Sequence, residues 1–205
     1  MSGSGTAVSV KQMRELEAEA MASGTGSAEL MRRAGEGIFR EAEWREPVAV
    51  VCGKGNNAGD GYVAALCMQE AGISCTVFTL SDSFSEDGRY YYEKCLGRGI
   101  PAGRFAPGDS FEGYGSVLDC IFGTGFRGEA AGIERAAIEA VNASGAYVVS
   151  ADINSGINGD TGEGSVFVRS DLTVAVGLLK KGMLAGHGPE AAARVVITDI
   201  GLRSP

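Results

Sequence analysis

The sequence predicts a Rossmann-like three-layer α/β/α sandwich with a mainly parallel sheet and two leading helices. Three observations predict it. Short apolar runs such as Pro47–Cys52 and Ser116–Phe122 have the unbroken hydrophobicity of parallel strands buried on both faces. These runs alternate with segments at helical spacing, the order of β-α-β units. Each of the three sharpest polar motifs follows the carboxyl end of a strand, where open α/β sheets hold their ligands.

The elements follow in order. Val10–Ala22 sets Val10, Met13, Leu16 and Ala20 at helical spacing, with Glu15, Glu17 and Glu19 elsewhere around the helix. After Gly24-Thr-Gly26, Ser27 reads as the N-cap of a second helix, with Leu30, Met31, Ala34 and Ile38 on one face and Glu29 and Glu41 on its polar side. Two helices ahead of the first strand suggest a cover across the sheet or a dimer surface. The first strand, Pro47–Cys52, leads through a Gly/Asn loop to a helix from Gly59 to Ala71. Ser74–Leu80 is the second strand, Ser85–Leu96 a helix, and Ser116–Phe122 the third strand, broken by Gly123-Thr-Gly125. A helix over Ile133–Ala143 and strands over Ala146–Ala151, Leu172–Val176 and Val195–Asp199 complete the pattern.

A length of 205 residues suits one domain, read as residues 8–205 behind a flexible tail over residues 1–7. The 32 glycines show no period, so they mark tight turns and close backbone approaches rather than a fibre. With neither a secretory leader nor a membrane-length apolar window in the sequence, the expected location is cytoplasmic, away from the membrane. The net charge of −8 argues against a nucleic-acid groove, which needs clustered Lys and Arg. A single pyrophosphate stays within reach, because backbone N–H groups at a helix start can hold it. The five cysteines (Cys52, Cys67, Cys75, Cys95, Cys120) are odd in number and lack a C-x-x-C pair, so they read as reduced thiols, mostly buried.

The loop Gly53-Lys-Gly-Asn-Asn-Ala-Gly-Asp-Gly61 contains G-x-G-x-x-A at Gly53, Gly55 and Ala58, a loose dinucleotide fingerprint between a strand and a helix. Alone, that pattern is no more than a glycine-rich β-α turn. Asn56, Asn57 and Asp60 add donors and acceptors suited to sugar hydroxyls, an amide or a cation. The loop is not a P-loop, and the second strand has no well-placed terminal acid, Asp82 lying late, which weakens an ordinary NAD-dehydrogenase reading. The second motif, Asp119-Cys-Ile-Phe-Gly-Thr-Gly-Phe-Arg127, sets a carboxylate inside an apolar run, where it needs backbone donors or a cation; the cation is preferred. The third, Asp152-Ile-Asn-Ser-Gly156, points Asp152 into the same crevice, while Asp160 and Thr161 read as turn chemistry. Asn57, Asp119 and Ser155 are hard oxygen donors with no His or Cys among them, a set for K⁺, Na⁺ or Mg²⁺ rather than a transition metal. The lone histidine, His187, has no G-x-S-x-G elbow to serve, which argues against Ser-His-Asp chemistry. Trp44 and Tyr90-Tyr-Tyr92 read as packing groups, and Lys180-Lys181 either sends one ammonium to the crevice or is solvated.

In this order, Gly53–Gly61, Asp119-x-x-x-Gly-Thr-Gly125, Asp152-x-x-Ser-Gly156 with Asp160-x-Gly162, and Lys180 ahead of Asp199-Ile-Gly201 resemble the NAD(P)HX epimerase family, the YjeF N-terminal domain. The opening VKQMRELEAEAMASG and AELMRRAGEG resemble its paired leading helices, so the resemblance runs from Val8 to Leu202. It implies a Rossmann-like isomerase that equilibrates the R and S forms of hydrated NADH and NADPH (NADHX and NADPHX) in nicotinamide nucleotide repair, with one K⁺ per subunit. Carried over by motif, Asn57, Asp119 and Ser155 would hold the K⁺. Asn56, Asn57, Ala58, Gly59 and Asp60, with Gly123, Thr124, Gly125, Phe126, Arg127, Gly128, Glu129 and Asp152, would bind the nucleotide. Ala58 stands where the family usually has glycine, Asn154 where it usually has proline, and Leu179 where a proline usually precedes the lysine. Ala58 is expected to add a methyl group near the phosphate, and Asn154 to loosen a turn that proline would stiffen. A homodimer is expected, and so is a separate dehydratase acting on the product.

Inversion at a ring carbon that carries both a hydroxyl and a nitrogen proceeds by ring opening and reclosure, or by loss and return of water. Either route moves a proton at oxygen, and Asp152 is the expected general acid/base, with Lys180 a lesser candidate. Two rival readings are a non-catalytic nucleotide- or partner-binding scaffold of the same fold and an ordinary nucleotide-dependent oxidoreductase. Asp119 and Asp152 argue against the first; the Asn-Asn loop and the missing ribose-binding acid argue against the second.

Overall fold

A computed structural model describes residues 7–202, so all but the last residue of the expected tail lies outside the described residues. The apolar runs become β1 (Val48–Cys52), β2 (Cys75–Thr79), β4 (Ser116–Cys120), β5 (Tyr147–Ala151), β6 (Leu172–Val176) and β7 (Val195–Thr198). A strand not anticipated from sequence, β3 (Ala102–Arg104), lies at the edge beside β2 and is exposed throughout, so no hydrophobic pattern marks it. The helices are α1 (Val10–Ala22), α2 (Ser27–Glu41), α3 (Asn56–Glu70), α4 (Glu86–Gly97), α5 (Gly132–Ala143) and a single turn, α6 (Gly188–Ala191). All seven strands are parallel, in the order β3-β2-β1-β4-β5-β6-β7.

Strand periodicity sorts the side chains into two cores. Val48, Val50, Cys52, Leu118 and Val174 face α2, α3 and α4, whereas Ala49, Val51, Val117 and Val148 face α5 with Phe105 and Phe111. β1, β4 and β6 are buried at every position, which is why their sequences are continuous apolar runs. Gly61 permits the close seating of α3 on this sheet: a Cβ there would lie 2.7 Å from Cys120 Sγ. Among the described residues no helix is long and apolar enough to cross a membrane.

The chain builds outward from β1 to β2 and β3, then returns to add β4 on the other side. The loops leaving β1 and β4 therefore diverge at their carboxyl ends, and a crevice opens between them. The two leading helices act as a cover. α2 buries Leu30, Met31, Ala34 and Ile38 as its spacing predicts, but its N-cap is Gly26, so Ser27 is its first helical residue instead of its cap. α1 is held at its start by a capping box between Ser9 and Gln12 and by Asp160, whose Oδ1 accepts from Val10 N at 2.8 Å. Ahead of it, Val8 pairs with the chain around Lys180 as an isolated parallel bridge.

Candidate active site

A cleft of about 440 Å³ lies at the carboxyl ends of β1 and β4 with α1 over it. One wall is Lys54–Asn57 with Asp60, another is Ile121–Phe126, and Asp152, Arg14 and Glu17 complete it. α3 begins at Asn56 rather than Gly59, because Gly55 is already the extended N-cap residue. Asn56 and Asn57 thus sit in the helix's first turn, with no side chain capping its N–H groups.

Asp119 is fully buried, and four donors reach its two oxygens. Oδ1 accepts from Ile121 N at 3.2 Å and Ser155 Oγ at 2.5 Å; Oδ2 accepts from Ser155 N at 3.0 Å and Ser150 Oγ at 2.9 Å. Ser150 stands directly opposite Asp119 in the β4–β5 register, a pairing that needs the strand order to be seen. Burial pushes the Asp119 carboxyl up, against the pull of these hydrogen bonds. The peptide of Phe122 links this network to α3: its N–H donates to Ser155 Oγ at 2.8 Å, and its carbonyl accepts from Asn57 Nδ2 at 2.9 Å. Asn57 is only 7% exposed, and its Oδ1 is buried without a hydrogen-bond partner. A buried oxygen left unpaired is costly, and a bound cation is one way to satisfy it.

Asp152 is the one non-glycine with a left-handed backbone among the described residues, at φ 69°. Aspartate is among the few residues that tolerate this conformation, and its neighbours hold it there. Its N–H donates to the Val174 carbonyl at 2.9 Å, Thr124 N donates to Oδ2 at 3.2 Å, and Lys180 Nζ donates to Oδ1. Lys180 is wholly buried and also donates to the Val176 carbonyl at 2.7 Å, while Lys181 is exposed. The ammonium that reaches the crevice is therefore Lys180.

Two more carboxyls share the cleft. Asp60 is pushed well above the usual carboxylate range by burial, then by the charges of Asp152 and Glu17, with Lys180 opposing. Glu17 is raised by burial and by Asp152, with Lys180 and Arg14 opposing. Glu17 and Arg14 were not legible as site residues. The structure corrects the placing of Glu17 elsewhere around the helix: Val10 and Met13 are the buried residues of α1, and Glu17 falls between them on that face, where a charged residue needs an explanation.

The structure brings together Asn56, Asn57, Asp60, Gly123, Thr124, Gly125, Phe126 and Asp152 around the cleft. Arg127 braces the same loop from behind, donating to the Thr124 and Phe126 carbonyls at 3.1 and 2.7 Å and facing Asp160 at 3.4 Å. Ala58 and Gly59 do not line the cleft. The Ala58 methyl is buried in the core under α3, not beside a phosphate, and a Cβ on Gly59 would strike Met31 Sδ at 2.3 Å. Gly128 turns the loop with φ 80°, and Glu129 is exposed beyond it. Asn154 does the opposite of loosening its turn. Its Nδ2 donates to the Val168 and Ala191 carbonyls at 3.0 and 2.9 Å with Ser170 Oγ 2.9 Å away, and its Oδ1 accepts from Thr173 Oγ1 at 2.7 Å. His187 pairs with Glu190 at 2.8 Å and stacks on Phe167, away from the cleft lining.

Residues 27–182 match the model of the family described as YjeF-related protein N-terminus. A bifunctional NAD(P)H-hydrate repair enzyme from Coxiella burnetii is 35% identical over 94% of this chain, which spans 41% of that protein's length. An NAD(P)H-hydrate epimerase from Lentilactobacillus buchneri is 30% identical, with 96% of this chain and 94% of the relative covered. The crystal structure of the yeast protein ynu0 (YNL200c) superposes with a TM-score of 0.79 at 21% identity, over 93% of this chain and 88% of that one, a likeness of fold. On the family match and on the relative of equal length, this chain belongs to the YjeF-related protein N-terminus family.

Proposed function

We propose that this chain is an isomerase that interconverts the R and S forms of hydrated NADH and NADPH, as the name of its full-length relative says of that protein. The observation that carries the reading is Asp152, held in a left-handed conformation with its carboxylate facing the cleft between Lys180 and the Thr124 N–H. A carboxylate fixed in this way suits proton transfer at the substrate hydroxyl. The N-terminal turn of α3, free of side-chain caps, suits the pyrophosphate. The test mixes the full chain with one purified epimer of NADHX and follows the other by chromatography. Exchange is expected in the wild type and is expected to be lost in Asp152→Asn with binding retained; undiminished exchange in that variant overturns the role of Asp152.

The reading includes one K⁺ per subunit. Asn57 Oδ1 is buried and unpartnered, and Asn57 Nδ2 and Ser155 Oγ both reach the Phe122 carbonyl, so the two residues converge on one peptide where such an ion fits. Asn57 and Ser155 would hold it through oxygen, as hard cations require. Asp119, its lone pairs filled by four donors, would supply the neutralising charge. The bound ion would fix the β1 and β4 loops relative to each other, while proton transfer stays with the carboxyls of the cleft. A homodimer, to be read by sedimentation velocity, and a dehydratase that consumes the product belong to the same proposal.

A further inference from the structure

We propose that Glu17 is the proton donor that works with Asp152, so that the cleft carries one carboxyl to accept a proton and another to give one. The inference rests on the exchange reaction proposed above and adds a residue from α1 to it.

The geometry begins with the anchoring of α1. Val8 N donates to the Leu179 carbonyl at 2.8 Å and Lys181 N donates to the Val8 carbonyl at 2.9 Å, so the chain entering α1 brackets Lys180, the partner of Asp152. Asp160 then fixes the first turn through Val10 N. Val10 and Met13 are buried, and Glu17 follows them on the same helical face. Burying those two side chains therefore turns Glu17 into the cleft. It borders both the main cavity and an adjoining one of about 120 Å³, which share Glu17, Asn56, Asp60 and Val176. The buried, unpartnered Asn57 Oδ1 in the same lining marks independently that the cleft takes a ligand.

The charged groups around Glu17 are Arg14 on its own helix, Asp60 from α3, Asp152 after β5 and Lys180 after β6; Lys54 borders the main cavity and Asp87 of α4 the smaller one. Asp152 takes hydrogen bonds from the Lys180 ammonium and the Thr124 N–H, which fix its carboxyl toward the cleft. Glu17 is raised by burial and by that neighbouring charge, which favours holding a proton. Asp60 is raised too, by burial first, and only Lys180 opposes that shift, so it has less support than Glu17 for the charge a departing proton leaves. Glu17 has both Arg14 and Lys180 to support the charge left when its proton departs. Two carboxyls from separate elements that line one cleft with different charged neighbours can divide the roles of acid and base.

The step closes on itself. Asp152 takes the hydroxyl proton, the O–H electron pair forms the carbonyl, and the C–N bond breaks with its pair moving to nitrogen, which takes a proton from Glu17. Rotation about the neighbouring carbon–carbon bond presents the other carbonyl face. On reclosure nitrogen returns its proton to Glu17, its pair forms the C–N bond, and oxygen regains the proton from Asp152. No electron, water or net proton is exchanged.

The test measures R-to-S exchange of purified NADHX against pH for the full wild-type chain, Glu17→Gln, Glu17→Asp and Asp60→Asn. Glu17→Gln is expected to lower kcat about 100-fold with KM nearly unchanged and to lose the alkaline fall of the pH profile. Glu17→Asp is expected to restore that fall and part of the rate. Wild-type kcat in Glu17→Gln, a loss carried by KM with both limbs kept, or loss of the alkaline limb in Asp60→Asn alone each overturns the assignment. A wild type without exchange overturns the reaction itself, a different outcome from an active wild type beside an unaffected Glu17→Gln.

Discussion

Lys180 Nζ, wholly buried, bridges Asp152 Oδ1 and the Val176 carbonyl, and so ties the loop after β5 to the end of β6. Replacing it with methionine keeps the volume but leaves a mostly buried carboxylate without its counter-charge. Lys180→Met is therefore expected to cost about 3 kcal/mol in urea denaturation and to abolish exchange. Adding Asp152→Asn should restore part of that stability and none of the activity. A double variant as unstable as Lys180→Met would show that the ion pair is not what the lysine contributes.

Asn154 gives a sharper contrast. It is 3% exposed and meets two carbonyls and two hydroxyls, tying the Asp152–Gly156 turn to residues 168–173 and α6. Asn154→Ala should cost about 2 kcal/mol through buried groups left unpaired. Asn154→Asp should cost more at neutral pH, because it sets a carboxylate oxygen against the Val168 and Ala191 carbonyls. Equal midpoints for the two variants in denaturant would contradict this account.

Stability should also depend on pH through the cleft. Burial raises Asp60 and Glu17 above their ordinary values of 3.8 and 4.5, so over that window the folded chain binds protons that the unfolded chain has released. Stability is then undiminished below the ordinary values and falls as pH rises toward the folded ones. Asp60→Asn removes one such group. Its urea midpoint should fall less than the wild type's as pH rises above the ordinary carboxylate value of 3.8, and should exceed it once the wild-type group is charged. Parallel curves for the two proteins would show that Asp60 is not a charge penalty in the fold.

Much of this architecture is legible in the sequence because parallel strands buried on two faces must be apolar throughout, as in β1 and β6. β3 is not, since its three residues are all exposed and owe their conformation to pairing with β2. The site divides in the same way. Asp119, Asp152 and the Asn56-Asn57 pair announce themselves by polarity at strand ends. Ser150 becomes the partner of Asp119 only once β5 lies beside β4, and Ala58 turns to the core because α3 starts a turn before the glycines suggest. Glu17 shares its local sequence with Glu15 and Glu19, and the packing of Val10 and Met13 alone selects it. Contacts distant in sequence choose among residues that local pattern leaves equivalent.

The cation site can be tested apart from catalysis. An ion that binds only the folded chain raises its stability by about 2.7 kcal/mol at a hundred times the dissociation constant. The melting temperature should therefore rise in KCl relative to choline chloride at equal ionic strength. Asn57→Ala removes the unpartnered Oδ1 and also the shorter of the two hydrogen bonds to the Phe122 carbonyl, a loss of about 1 kcal/mol in any salt. The quantity to compare is thus the KCl-dependent increment, not the absolute midpoint. That increment should vanish in Asn57→Ala and persist in Gly59→Ala, where the change lies against Met31 and outside the cleft. An increment of equal size in Asn57→Ala would move the ion elsewhere, and none in the wild type would remove K⁺ from the proposal.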